Sequence, residues 1–319
     1  MPSARPADPS RRRLLAGAAA AALLPALGPL TATPAGAADP ADILRRPIPS
    51  TGEEIPVVGM GTWITFNVGD SEPLRQDRLE VLRTFLALGG GMVDSSPMYG
   101  TAEEVVGWCL ERLPAAETAG LFSATKVWTT WLMRDGPQQM AESRRLWGLD
   151  RFDLMQVHNL EDWEDHLPTL ADDKAAGRVR YVGVTTSHGR RHDEMARIME
   201  RHPLDFIQIT YNILDREVED RLLPLAAERG IGVIVNRPFR QGSLFRTVAG
   251  RPLPGWAAEI GAATWAQVML SFVVSHPAVT CVIPATTRVD HMRENMAVLR
   301  HPLPDAALRR RMADDLRAL

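Results

Sequence analysis

Four side chains in this sequence have the types and spacing to move a proton: Asp94 and Tyr99 in VDSSPMYG, Lys126 in FSATKVW and His158 in LMQVHN. A carbonyl that accepts hydride develops negative charge on its oxygen and needs a proton at the same moment. A tyrosine phenol can supply one, although its free pKa is about 10. A lysine ammonium within a few ångströms favours the phenolate and lowers that value. An aspartate beside the lysine keeps it charged and in place, and a buried lysine needs such a partner. A histidine can orient the carbonyl oxygen and share the proton. Taken singly, each residue has a blander use: Asp94 as a turn cap, Tyr99 as a loop aromatic, Lys126 as a strand-end lysine reaching for solvent, His158 as a satisfied core histidine. Their placement at the ends of three successive apolar runs argues for one shared site.

Those runs belong to a long alternation of short apolar strands and amphipathic helices. Strand-like segments cover Val57–Thr62, Met92–Ser95, Leu121–Lys126, Asp153–His158, Val179–Thr185, Phe206–Tyr211, Gly232–Asn236 and Thr280–Pro284. Helical spacing covers Asp77–Leu88, Ala102–Leu113, Pro137–Trp147, Leu167–Ala176, Asp193–Arg201, Glu217–Arg229, Thr264–Ser275 and Arg288–Leu299. The strands are almost continuously apolar, as strands buried on both faces are. Eight such βα units predict a single-domain α/β fold, the (β/α)8 TIM barrel, over an open doubly wound sheet. GMGTW at Gly59–Trp63 lacks the G-x-G-x-x-G turn that an open dinucleotide-binding sheet carries after its first strand. Ile48–Ile55 reads as an N-terminal hairpin plugging the barrel bottom, and residues 305–319 as an extra C-terminal helix. In such a barrel the active site lies at the C-terminal ends of the strands, where the four residues fall.

The start of the 319-residue chain reads as an address. Arg11-Arg12-Arg13 precedes an Ala/Leu-rich run to Leu30, and small residues follow from Thr31 to Ala38. That order is a signal peptide, and paired arginines mark the twin-arginine route. The expected plan is a twin-arginine signal peptide over 1–37, a linker over 38–47 and the barrel over 48–319. The protein is then exported folded, to a periplasmic or extracellular place, with the twin-arginine export machinery as a partner. The alanine-rich apolar part does not suit a stable membrane span. A net charge of −3 gives no electrostatic case for nucleic acid. Cys109 and Cys281 read as small core residues. His188 and His192 lack a third ligand nearby and read as a solvated loop and helix start, so no metal site is expected. No G-x-S-x-G nucleophile elbow is present.

Taken in order, GMGTW, VDSSPMYG, SATKVW, QVHN, GVTT, QITYN and IPATTRVDHMREN resemble the aldo/keto reductase superfamily from Ile48 to Leu299. The resemblance implies a tetrad of Asp94, Tyr99, Lys126 and His158 with Tyr99 as general acid. It implies NADP(H) laid across the barrel mouth, with NAD(H) as the alternative, and a small-molecule carbonyl substrate. The implied cofactor contacts begin with Gly61, Thr62 and Trp63 after the first barrel strand, and with Asn159 near the nicotinamide edge. Thr185 and Thr186 stand where the family usually has Ser-Asn, so the paired donor and acceptor of an amide are lost there. Gln208 matches the residue that holds the carboxamide, and Arg237 the one that stacks on the nicotinamide. Pro238, Gly242 and Ser243 belong to the pyrophosphate loop. Thr286, Thr287 and Arg288 fit the 2′-phosphate, and Glu294 and Asn295 the adenine. A threonine at 287, where NADP-selective members are often basic, leaves NADP only modestly favoured over NAD. Trp63, Trp128 and Trp131 follow strand ends and are candidates to line an apolar carbonyl pocket. The implied activity is NADP(H)-dependent reduction of an aldehyde or ketone. The alternative is an exported nucleotide-binding or sensor module of the same fold with little or no turnover.

Overall fold

Polar residues of the barrel strands such as Asp94, Lys126, Thr185, Thr210 and Asn236 stand at or next to the strands' C-terminal ends. The computed structural model describes residues 43–129 and 135–319. The signal peptide read over 1–37, the linker as far as residue 42 and Trp131 lie outside the described residues. An antiparallel hairpin comes first, pairing β1 (Arg45–Pro47) with β2 (Glu54–Pro56). The eight barrel strands follow: β3 (Met60–Gly61), β4 (Met92–Asp94), β5 (Phe122–Val127), β6 (Phe152–Val157), β7 (Val179–Thr185), β8 (Phe206–Thr210), β9 (Gly232–Asn236) and β10 (Cys281–Val282). They pair in parallel and in chain order. A parallel bridge between Val58 and Val282 brings the sheet round on itself. Every residue of β5 and β8 is buried, the polar Lys126 and Gln208 among them.

The helices wrap the outside: α1 (Glu72–Ala87), α2 (Ala102–Glu111), α3 (Ala115–Thr118), α4 (Gly136–Trp147), α5 (Trp163–Ala175), α6 (His192–Arg201), α7 (Leu222–Arg229), α8 (Ser243–Thr247), α9 (Trp265–Val274), α10 (Val289–Ala297) and α11 (Ala306–Arg317). Local chemistry sets several ends. The Asp135 side chain accepts the Gln138 N–H to start α4, and Gly148 ends that helix at φ 68°. Thr264 starts α9 and Asp305 starts α11 in the same way.

Three helices begin elsewhere than the apolar period predicts. The first turn of α1 holds Pro73, and Arg75 occupies a buried position there by bonding Gly69 O, Asp70 and Glu104. A pattern built on apolar residues passes over it. The start of α5 lies at Trp163, before the expected Leu167, and Pro168 sits inside the helix without ending it. The predicted helix Glu217–Arg229 is broken: Glu217–Glu219 forms a separate 3₁₀ turn, and Glu219 is held by Arg216, Tyr211 and Arg309.

The hairpin closes one end of the barrel. Ile48 and Ile55 pack in the interior with Met92, Phe122, Tyr181 and Phe206. Tyr181 stacks on Phe122 with ring centroids 5.8 Å apart, and its hydroxyl donates to Glu53 at 2.6 Å. The chain is therefore anchored at the end opposite the strand C-termini, where the candidate residues gather. Cys109 and Cys281 are both buried and free, and burial raises both thiols, Cys109 to about 12.

Candidate active site

Asp94 is the last residue of β4, Lys126 the fifth of β5, and His158 follows β6 directly. Between Asp94 and Tyr99 the chain passes Ser95 and Ser96 and makes one 3₁₀ turn, Pro97–Tyr99, which Ser96 caps by accepting the Met98 N–H. Parallel pairing sets Asp94 beside Ala124 and Lys126 beside Gln156. Asp94, Lys126 and His158 thus meet because they stand at or next to the C-terminal ends of neighbouring strands, and the turn after β4 carries Tyr99 to them.

Lys126 is fully buried and Asp94 nearly so. The ammonium donates to Asp94 Oδ2 at 2.6 Å and to the Ser95 carbonyl at 2.8 Å. Burial is the largest single effect and works against the lysine charge, but Asp94 and Tyr99 together outweigh it and the Lys126 pKa is raised. The other carboxylate oxygen of Asp94 accepts Gln208 Nε2 at 2.9 Å and Gln156 Nε2 at 3.1 Å. Nζ of Lys126 stands 5.1 Å from the centre of the Tyr99 ring. The His158 ring meets Tyr99 edge-on, 5.7 Å between centroids. Burial, and then Lys126, hold His158 well below 6.5, so it is neutral at physiological pH.

One electrostatic expectation is corrected. Lys126 pulls the Tyr99 phenol down, but burial is the larger effect and the phenol lies above its ordinary 10.0. A buried phenolate loses its hydration, and the lysine charge is already shared with Asp94 and Ser95. The phenol stays protonated throughout the physiological range, which suits a proton donor.

Asp94, Tyr99 and His158 open onto a cavity of about 410 Å³. Gly61, Thr62, Trp63, Asn159, Thr185, Thr186, Gln208, Arg237, Pro238 and Gly242 line the same cavity. Several have other commitments. The Thr62 hydroxyl donates to Ser95 Oγ at 2.8 Å, and Thr185 Oγ1 accepts the Asn159 N–H at 2.9 Å. The Gln208 donor goes to Asp94. Three polar atoms of the lining residues are left over: Thr65 Oγ1, Thr186 Oγ1 and Arg237 Nη1 are buried with no hydrogen-bond partner among the described residues. Unpaired groups of this kind fit a bound molecule that carries both amide and anionic groups.

The remaining cofactor candidates lie outside this cavity. Ser243 begins α8 and donates to the Arg240 carbonyl at 2.8 Å. Thr286 Oγ1 accepts the Arg288 N–H, and the Thr287 carbonyl accepts from Arg78. The Arg288 guanidinium is paired through two nitrogens with Asp290. Glu294 and Asn295 lie in α10, Asn295 buried and the Glu294 carbonyl bonded by Gln267. Trp128 does not line the cavity, and its backbone is pinned on both sides by the Gln139 amide.

Of the six large apolar side chains exposed among the described residues, four border the cavity: Trp63, Ile64, Met98 and Phe245. Sequence reasoning singled out only the first. It also passed over Ser96, Gln156 and Asn236. Gln156 carried a usable signal: it interrupts an apolar strand two residues before His158.

The aldo/keto reductase family model matches residues 57–311. The NADH-specific methylglyoxal reductase of Escherichia coli (strain K12) is 25% identical over 334 aligned positions, spanning 85% of this chain and 99% of the relative. A thermostable aldo-keto reductase solved with the inhibitor epalrestat superposes with a TM-score of 0.70 at 28% identity, covering 86% of this chain and 100% of that one. An aldo/keto reductase from Klebsiella pneumoniae in complex with NADP and acetate has a TM-score of 0.67 at 22% identity, covering 83% and 92%.

Proposed function

Because the chain belongs to the aldo/keto reductase family, we propose that it reduces an aldehyde or ketone with an apolar body, with Tyr99 as the proton donor. The observation that carries this reading is the buried Lys126–Asp94 pair, 2.6 Å apart, set against a tyrosine that opens onto an apolar-rimmed cavity. A bound nicotinamide nucleotide supplies the hydride. Thr65 Oγ1, Thr186 Oγ1 and Arg237 Nη1 are the groups left to hold it in the cavity, and the family resemblance assigns Arg288, Glu294 and Asn295 to its adenosine end. Asp290 already occupies the Arg288 guanidinium, so a 2′-phosphate gains little there and both NADPH and NADH are accepted.

As hydride reaches the carbonyl carbon, the Tyr99 O–H bond breaks and its proton passes to the carbonyl oxygen. Lys126, kept charged by Asp94, stabilises the phenolate until solvent restores the proton. Tyr99→Phe removes the proton and leaves the cavity walls in place. Turnover of a hydrophobic aldehyde is expected to fall about a hundredfold to ten-thousandfold, with the Kd for NADPH unchanged in a fluorescence titration. Equal slow rates in the two proteins would favour the nucleotide-binding module without turnover.

We further propose that residues 1–37 direct export of the folded, nucleotide-loaded protein, on the paired arginines ahead of the apolar run. Arg12→Lys with Arg13→Lys is expected to hold the protein inside the cell. Normal export of that variant, or exported wild type free of nucleotide by mass spectrometry, would speak against this route.

A further inference from the structure

Ser96 lies between the aspartate and the tyrosine of the site with its side chain fully buried. Its Oγ is 2.9 Å from His158 Nδ1. The same oxygen accepts the Met98 backbone N–H at 3.1 Å. A backbone amide can only donate, so one lone pair of Oγ is taken and the hydroxyl proton still needs an acceptor. Among the described residues, Nδ1 of His158 is the acceptor that the hydroxyl reaches. If Nδ1 carried the imidazole proton instead, both neighbours of Oγ would be donors. The hydroxyl proton would then be buried without a partner, which is the costly arrangement.

We infer that Ser96 is a positioning residue that fixes His158 as the tautomer protonated on Nε2, so that the ring presents an N–H donor to the substrate's carbonyl oxygen. The hydrogen bonds run one way, from the Met98 amide to the Ser96 hydroxyl and from that hydroxyl to Nδ1, which leaves Nε2 as the ring nitrogen free to donate at the cavity that His158 lines. His158 is neutral at physiological pH, held there by burial and by Lys126, so it has one proton to place. On Nδ1, that proton would leave a lone pair facing the oxygen that gains negative charge. On Nε2, it joins the Tyr99 hydroxyl as a second donor to that oxygen. Ser96 also caps the turn that carries Tyr99, so one side chain ties together the placement of both donors.

The role assigned to the donor rests on the reductase reading; the tautomer does not, and it can be read without turnover. The full chain labelled with 15N-histidine gives long-range 1H–15N correlation spectra, with a His158→Asn spectrum for assignment. Wild type is expected to show His158 protonated on Nε2 with Nδ1 bare. Ser96→Ala is expected to shift the ring toward Nδ1 protonation and to lower kcat about three- to tenfold, with KM and the Kd for NADPH nearly unchanged. Ser96→Thr, which keeps the hydroxyl, restores both readouts. A wild-type ring protonated on Nδ1, or a Ser96→Ala protein that keeps the Nε2 tautomer, overturns the inference. The expected tautomer pattern in a protein that reduces no carbonyl upholds it and removes the reductase reading instead.

Discussion

On the strand that carries Lys126, the preceding residue faces the other way. Thr125 donates to the Glu103 carboxylate at 2.5 Å, and Ser143 donates to its second oxygen at 2.9 Å. Burial outweighs these bonds and lifts Glu103 from 4.5 to about 6. A raised carboxyl pKa means that the folded state binds the proton more tightly than the unfolded state. The resulting stability is complete below the unfolded value and is lost as pH rises through 6. Glu103→Gln, neutral at every pH, is expected to flatten the stability difference between pH 5 and 7.5 by about 1 kcal/mol in urea unfolding. Parallel pH profiles for the two proteins would place the cost elsewhere. Lys126 and Asp94 were legible in the sequence because charge interrupts apolar runs at strand ends. Glu103 was not, since a glutamate on a helix looks solvated until the packing around it is known. The direction of the Tyr99 shift was misread for the same reason: depth of burial has no local signature.

The two strands that complete the cylinder are its shortest, with only two residues each in β3 and β10. The seam between them is held by Val282 N to Val57 O at 2.9 Å, Gly59 N to Val282 O at 2.8 Å and Gly61 N to Pro284 O at 3.1 Å. A Cβ on Gly61 would stand 2.9 Å from the Ile283 carbonyl oxygen, and backbone cannot swing away as a side chain can. Gly61→Ala is therefore expected to cost about 1–3 kcal/mol and to speed amide exchange at Gly59 and Val282. Protection there as strong as in β6 would show that the seam yields without opening. The order of strands and helices was readable from apolar periodicity, and so was closure, from eight uninterrupted units. The lengths of β3 and β10 were not. Val57–Thr62 is apolar throughout, but ladder pairing at the seam spans only part of it. Gly61 drew notice as a cofactor contact; its close approach to Ile283 depends on a strand more than two hundred residues away.

At the scale of the whole molecule, the N-terminal hairpin acts as a stopper fastened from outside. Arg46 of β1 donates to the carbonyls of Val274, the last residue of α9, and of His276, Pro277 and Val279 beyond it. Arg46→Met takes away all four bonds while keeping much of the side-chain bulk. It is expected to lower the urea midpoint, with a loss of about 2–3 kcal/mol. An unchanged midpoint would mean that Ile48 and Ile55 hold the hairpin by packing alone. The plug itself was foreseen from the glycine-centred turn within Ile48–Ile55, whereas Arg46 was not, because its partners are carbonyls that any sequence would supply. With that end corked, the cavity lies at the other end of the cylinder, where Tyr99 and the apolar rim stand. On the proposed reductase reading, an arriving carbonyl and a departing alcohol both cross that rim, and each waits on the other.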